Sequence, residues 1–216
     1  MATLQPLKHT TSRTSQAYNA IKAAILSAEM EPGSLLLEDD LAKQLNISKT
    51  PVRVALQELE RDGLVKRIPY KGTYVTEIGV SDLREILEIK AVLEGLGGRL
   101  VTKFMTPEEM DKAAAILDAS EAAIKAGDLS RADGYGQEFH DLIINFSHNL
   151  RLLRFLARLD DQMHRLRVQS TRTAERTQLS LHEHREVLEF IRQGDRAKVE
   201  SSLRDHLRSV LNSSVG

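Results

Sequence analysis

The chain has 216 residues, 41% of them apolar and 28% charged, with a formal net charge of −1 and no cysteine. That length accommodates one large domain or two small ones, each with its own core. No apolar run approaches the roughly 20 residues needed to span a bilayer. The opening stretch MATLQPLKHTTSRTS lacks the apolar segment of a secretory signal, and without cysteine there are no disulfides or thiolate metal sites. The expectation is a cytoplasmic protein with no membrane partner.

The near-zero net charge hides a local imbalance. Between Lys43 and Lys71, seven cations (Lys43, Lys49, Arg53, Arg61, Lys66, Arg67, Lys71) face three anions (Glu58, Glu60, Asp62). A basic island of this size is enough for a small nucleic-acid-reading module.

Residues 1–13 form a polar arm carrying Lys8 and Arg13, with too few apolar groups to order itself. From Ser15 to Met30 the positions Tyr18, Ile21, Ala24, Ile25 and Ala28 repeat with helical spacing, and Glu31-Pro32-Gly33 stops the helix. Glu38, Asp39 and Asp40 stand where the next helix starts, a placement that favours its dipole. Leu41, Ala42 and Leu45 give that helix one apolar face; Asn46 tolerates the left-handed conformation and ends it, and Ile47 fills the corner. Ser48 is a good N-cap and Pro51 falls in the first turn. Val52, Ala55, Leu56 and Leu59 then make one buried stripe. The opposite face carries Lys49, Arg53 and Gln57 at successive i+4 steps, with Ser48 and Thr50 at the helix start. Such groups hydrogen-bond phosphates and base edges, and they lie at the end that a helix-turn-helix pushes into the major groove. Taken alone, the same face would serve as an ordinary solvated surface.

The next segment favours the first reading, although by itself it would also suit an ordinary surface hairpin. Leu64–Ile68 and Thr73–Thr76 are strand-prone runs around the turn Pro69-Tyr70-Lys71-Gly72. Three helices followed by a hairpin with a basic tip make a winged helix-turn-helix, in which Lys71, Gly72 and Thr73 approach the DNA backbone or minor groove. The domain boundary is placed between residues 77 and 78. Residues 78–216 show helical periodicity throughout: a long helix marked by Leu83, Ile86, Leu87, Leu93, Leu96 and Leu100, whose glycines Gly95, Gly97 and Gly98 admit a close neighbour. A capping box at Thr106-Pro107-Glu108-Glu109 opens the next, and others run from Asp128, from Leu150 to Ser170, from Leu179 to Gln193 and from Asp195 to Leu211. The fold class is mainly α, a winged helix-turn-helix followed by an all-α bundle of six or seven helices.

Gly127-Asp128 and Gly194-Asp195 are matching stop-and-start pairs, and His140 and His206 follow those aspartates by 12 and 11 residues. His184 precedes His206 by 22 residues, roughly 33 Å along a continuous helix, so a shared site requires the chain to turn back at Gly194. Spacing alone leaves His140, beside Phe139, as a core histidine, and His148, His164 and His182 as solvent-facing.

The ordered motifs Pro32-Gly33, Leu41-Ala42, Ser48 to Leu56, Asp62 to Val65 and Gly72 to Val75 resemble the DNA-binding domain of the GntR family of bacterial transcription regulators, over residues 15–76. Two positions depart from the family pattern. Lys49 stands where Arg is usual and Val54 where Glu is usual, and Lys lacks the bidentate fork. Residues 80–211 are similar to the FadR-type ligand-binding domain called FCD, through LEGLGGRL at 93–100, Phe139-His140, EHREVLEFIRQGD at 183–195 and His206-Leu207. That resemblance implies a divalent metal, zinc or nickel, held by His140, His184 and His206. Gly136 occupies the position of the usual fourth ligand, an Asp or Asn, so either water or an effector's carboxylate completes the shell or affinity is reduced. It also implies an acidic effector near Lys90, where relatives often carry Arg, and a homodimer reading near-palindromic operator DNA.

Two other functions are compatible with parts of the chain. Three histidines with an open position would suit activated water in a metal-dependent hydrolase, but there is no H-E-x-x-H and no repeated E-x-x-H pair. An architectural helical protein with a degenerate DNA module is the third reading. The regulator explains most of the motifs, and no enzymatic activity is expected.

Overall fold

The structure is a computed structural model that describes residues 12–169 and 173–215, without the side chains of 164–169 and 215. Most of the N-terminal arm, Lys8 included, and the His164 side chain lie outside the described residues. The chain divides at Ile78/Gly79 into two compact units.

In the first unit α1 spans Arg13–Leu26. It begins before the expected Ser15 because Ser12 Oγ accepts the Ser15 N–H at 3.1 Å, a cap that draws Arg13 into the helix. A two-residue strand, β1 (Leu35–Leu36), precedes α2 (Glu38–Gln44) and α3 (Lys49–Arg61). Leu45 is the C-cap of α2, and Asn46 follows it at φ 51°, one place later than its expected cap position. Ile47 then returns its N–H to Ala42 O at 3.0 Å, which fixes the turn between the two helices. Strands β2 (Val65–Ile68) and β3 (Gly72–Val75) form the hairpin, in the register Val65 to Val75 and Ile68 to Gly72. β1 adds to the outer edge of β3, giving the order β1-β3-β2. This third strand was not expected, since two residues carry no alternation to read.

The core of this unit is built from Ile21 and Ile25 of α1, Leu41 of α2, Val52, Leu56 and Leu59 of α3, and Leu64, Val65 and Val75 of the hairpin. Each fully buried Leu or Ile contributes about 1.5–3 kcal/mol relative to exposure. Because the apolar stripe of α3 is consumed here, its opposite face is left to solvent. Tyr18 Oη also donates to Asp62 Oδ2 at 2.7 Å, tying α1 to the end of α3.

The second unit consists, among the described residues, of six helices: α4 (Val80–Val101), α5 (Pro107–Lys125), α6 (Leu129–Asn145), α7 (Leu150–Gln169), α8 (Ala174–Arg192) and α9 (Arg196–Val215). Helix α8 begins five residues before the expected Leu179, where Thr173 accepts the Arg176 N–H at 3.2 Å. Its first turn is polar, so the apolar period starts later than the helix. The capping box of α5 forms as expected, with Thr106 N–H donating to Glu109 at 2.6 Å. Gly127 and Gly194 adopt φ 77° and 69°, and Asp128 and Asp195 each accept a backbone N–H at the start of the following helix. These two reversals bring α6, α8 and α9 together. Phe139, Ile143, Leu117, Val187, Ile191 and Leu203 fill the centre.

The glycines of α4 do not interrupt it. A Cβ at Gly98 would stand 2.3 Å from Leu203 Cδ1 and 2.8 Å from Val199 Cγ1, so α9 lies directly on its backbone. A Cβ at Gly97 would meet Ile144 Cδ1 of α6 at 2.4 Å. Close approach outweighs the helix propensity lost at these positions, about 1 kcal/mol per glycine. Gly98→Ala is therefore expected to destabilise the protein by about 1–3 kcal/mol through overpacking, read as a lower urea midpoint with an unchanged m-value.

Candidate functional sites

The exposed face of α3 presents Ser48, Lys49, Thr50, Arg53, Val54 and Gln57 together. Ser48 is the N-cap residue, but its side chain makes no capping hydrogen bond. A concavity beside it is lined by Arg13, Asp39, Lys43, Asn46, Ser48 and Lys49. Three cations thus surround a helix N-terminus, an arrangement that favours phosphate. Arg13, assigned to the arm from sequence, is the first residue of α1 and lines this concavity. Lys71 is exposed at the hairpin tip beside Tyr70, whose backbone has φ 62°, while Gly72 and Thr73 are half-buried in β3.

Two of the cations on this face are paired. Lys49 forms an ion pair with Asp39, and Arg53 Nε and Nη2 donate to Glu38 at 2.8–3.2 Å. The hydrogen bonds from Arg53 hold the Glu38 carboxyl below its ordinary range. From sequence, Glu38 and Asp39 were only dipole-favourable residues. The turn of the helix-turn-helix brings them within reach of α3.

In the second unit His140 of α6, His184 of α8 and His206 of α9 are all buried, and their Nε2 atoms converge. The separations are 3.0 Å (140 to 184), 3.2 Å (140 to 206) and 3.3 Å (184 to 206). Nitrogens bound at 2.0–2.1 Å to one ion would be about 2.9 Å apart in octahedral and about 3.4 Å in tetrahedral geometry. The observed triangle lies between those values. His206 Nδ1 is 2.7 Å from Glu183 Oε2, and His140 Nδ1 is 2.7 Å from Glu94 Oε2. The second contact is out of line for a well-formed hydrogen bond, yet at that distance a proton on Nδ1 is what separates the nitrogen lone pair from the carboxylate. Both rings then turn unprotonated Nε2 atoms inward. Two lone pairs 3.2 Å apart in a dry interior repel unless a cation or a donated proton lies between them. The residues therefore fit a divalent ion. Burial also pushes the His206 pKa down, partly offset by its bond to Glu183, and so favours the neutral ring.

The supporting carboxylates are themselves held. Burial opposes the charge on Glu183, but His206 and Arg176 bring its pKa down to about 2. Arg176 donates to Glu183 Oε2 at 2.7 Å. Glu94 is almost fully buried, and Lys90 and His140 keep it well below the usual carboxylate range despite burial. Lys90, 2% exposed, is paired with Glu94 at 2.9 Å and with Asp160 of α7. The charge that the resemblance would offer to an acidic effector is thus matched here by two carboxylates. Sequence reading missed Glu94, Glu183, Asp160 and Arg176, although Glu94 stands four residues after Lys90 and Glu183 beside His184.

Gly136 lies one turn before His140, and a Cβ there would be 3.3 Å from His184 Cε1. The ring packs on this backbone, and the position offers no ligand. His148 and His182 are exposed, as expected.

A winged helix-turn-helix joined to a helical unit with an internal polar site defines a DNA-binding regulator. Residues 13–75 match the model for bacterial regulatory proteins of the gntR family, and residues 85–209 match the FCD domain. The chain belongs to the GntR family and carries an FCD domain. It is 31% identical over 192 residues to the uncharacterised HTH-type transcriptional regulator YdhC of Bacillus subtilis, covering 88% of this chain and 86% of that one. It is 23% identical over 198 residues to the HTH-type transcriptional repressor RspR of Escherichia coli, covering 92% and 87%. Among solved structures, E. coli McbR/YncC has the same fold, with a TM-score of 0.74 at 23% identity over 96% of this chain and 100% of that one. The family is one of transcription regulators, not enzymes, which sets the hydrolase reading aside.

Because Glu183 is placed to fix the His206 tautomer, Glu183→Gln is expected to weaken any zinc binding by the three histidines by about 10- to 100-fold. Titration of added zinc against a chromophoric chelator, with wild type and variant side by side, measures it.

Proposed function

We propose that this DNA-binding transcription regulator is controlled by a small organic acid acting at a divalent metal, zinc or nickel, held by His140, His184 and His206. The observation that carries this reading is the convergence of three buried Nε2 atoms, two of them backed by carboxylates. When bound, the ion would supply positive charge and open positions for an effector oxygen. The residues do the rest: Glu94 and Glu183 hold two imidazole tautomers, and Gly136 leaves a position for water or an effector carboxylate where relatives place a side chain. Lys90, with its charge already matched, supports Glu94 first; an effector carboxylate reaches it only by competing with Asp160.

On the DNA side, Ser48, Lys49, Thr50, Arg53 and Gln57 enter the major groove, while Lys71, Gly72 and Thr73 contact the backbone or minor groove. The working form is a homodimer on a near-palindromic operator, acting in the cytoplasm where that DNA lies. An exposed apolar stripe on α4, with Ile89 52%, Val92 55% and Leu96 39% accessible, supports a self-complementary contact.

A panel of small carboxylates, tested with and without zinc or nickel, is expected to yield at least one that raises the thermal midpoint and changes operator affinity only when metal is present. If none does either, control by an acid at the metal is wrong. Lys49→Ala is expected to weaken all duplexes alike if the lysine meets phosphate, and to lose discrimination at one base pair if it reads a base. Val92→Arg is expected to shift the dimer to monomer in sedimentation while leaving the helical circular dichroism signal intact.

A further inference from the structure

We propose that the two acids opening α2 have opposite effects on DNA recognition: Glu38 positions Arg53 to read guanine, and Asp39 restrains Lys49 from binding DNA indiscriminately. The proposal rests on α3 being the reading helix.

Arg53 Nε donates to Glu38 Oε1 and Oε2 at 3.2 and 3.0 Å, and Nη2 donates to Oε2 at 2.8 Å. These bonds occupy one edge of the planar guanidinium. The edge formed by Nη1 and the second Nη2 hydrogen is a separate pair of parallel donors, the pattern that fits O6 and N7 of guanine in the major groove. An arginine on a helix surface otherwise samples many rotamers, and a partner from a neighbouring helix reduces them. The side-chain exposures agree with this division: Arg53 is 55% exposed, whereas Glu38 is 27% exposed and set back.

Asp39 differs in each respect. Its partner Lys49 is a point charge without a fork, and both side chains are more than half exposed, at 59% and 57%. Nothing in such a pair fixes direction. Asp39 also lines the concavity beside the α3 N-terminus, where a phosphate would be attracted by Arg13, Lys43 and Lys49. A carboxylate there competes with phosphate for Lys49 and repels the backbone.

Neutralising either acid brings DNA one fewer repulsive charge, so simple electrostatics predicts tighter binding to every sequence in both cases. Positioning predicts a different sign for Glu38 alone. A consensus duplex is first selected from a random-sequence pool with the wild-type protein. Fluorescence anisotropy then compares consensus and scrambled duplexes over a salt series for Arg53→Ala, Glu38→Ala, Glu38→Gln and Asp39→Asn, each checked for an unchanged thermal midpoint.

Glu38→Ala is expected to lose about tenfold on the consensus while binding the scrambled duplex as well as or better than wild type. The loss should concentrate at the base pair where Arg53→Ala loses discrimination, and the double variant should be no worse than Arg53→Ala. Glu38→Gln, which keeps one acceptor, should fall between. Asp39→Asn should bind both duplexes more tightly, with a salt slope steeper by about one. Equal tightening by Glu38→Ala on both duplexes, or equal loss on both, overturns the positioning role; unchanged scrambled binding by Asp39→Asn overturns the restraint. If no consensus emerges, or Arg53→Ala keeps full discrimination, the reading of α3 fails and this proposal fails with it.

Discussion

Lone pairs that face one another in a dry interior must be reconciled, and in this protein those of His140 and His206 lie 3.2 Å apart with a third Nε2, from His184, beside them. The Nε2 atoms of His140, His184 and His206 approach to 3.0–3.3 Å from three different helices. A core built only for stability would place leucine at such positions, since every buried polar group has to be given a partner. Their convergence dictates what surrounds them. Glu94 and Glu183 must stay charged to hold the tautomers, and their burial then requires Lys90 and Arg176. Lys90 in turn needs Asp160, so the chain of compensation runs outward from the site until it reaches solvent.

The first unit meets an analogous requirement at the surface. Its small core uses one face of α3, and the exposed face carries cations whose directions would otherwise be free. The acids at the start of α2 stand close enough to restrict them, at the cost of placing negative charge beside a surface meant for DNA. In both units, therefore, carboxylates from a neighbouring segment lie against the candidate binding groups. One set is buried and strongly coupled. The other is exposed and screened by salt.

Much of this was legible from the chain alone, because helices announce themselves by period and punctuation. The two short helices from Leu41 to Gln57, the hairpin, the α5 capping box and the reversals at Gly127 and Gly194 all follow from local rules. β1 did not, being too short to show alternation, and the starts of α1 and α8 were missed because serine and threonine caps act ahead of any apolar stripe. The histidines could be named through a family resemblance, but their mutual distances depend on how α6, α8 and α9 pack. The carboxylates behind them were invisible for a related reason. Sequence marks Glu94 as a charged residue in a helix, and only packing shows that it is buried against His140 and Lys90. The same limit applies to Lys90, whose pairing with Asp160 of α7 joins residues 70 positions apart.

Helix α4 combines several of these roles on one rigid element. It carries Glu94 and Lys90 on the face toward the histidines, and through Gly97 and Gly98 its backbone lies against side chains of α6 and α9. Ordinary helix contacts contain two layers of side chains, which absorb small displacements by changing rotamer. Here one layer is missing, and what remains is backbone against methyl groups at close-packed density. A push on Glu94 therefore has little soft material in which to dissipate. Within this unit α4 answers such a displacement as one rigid piece, because the face that Gly97 and Gly98 leave bare has no side chains to give way.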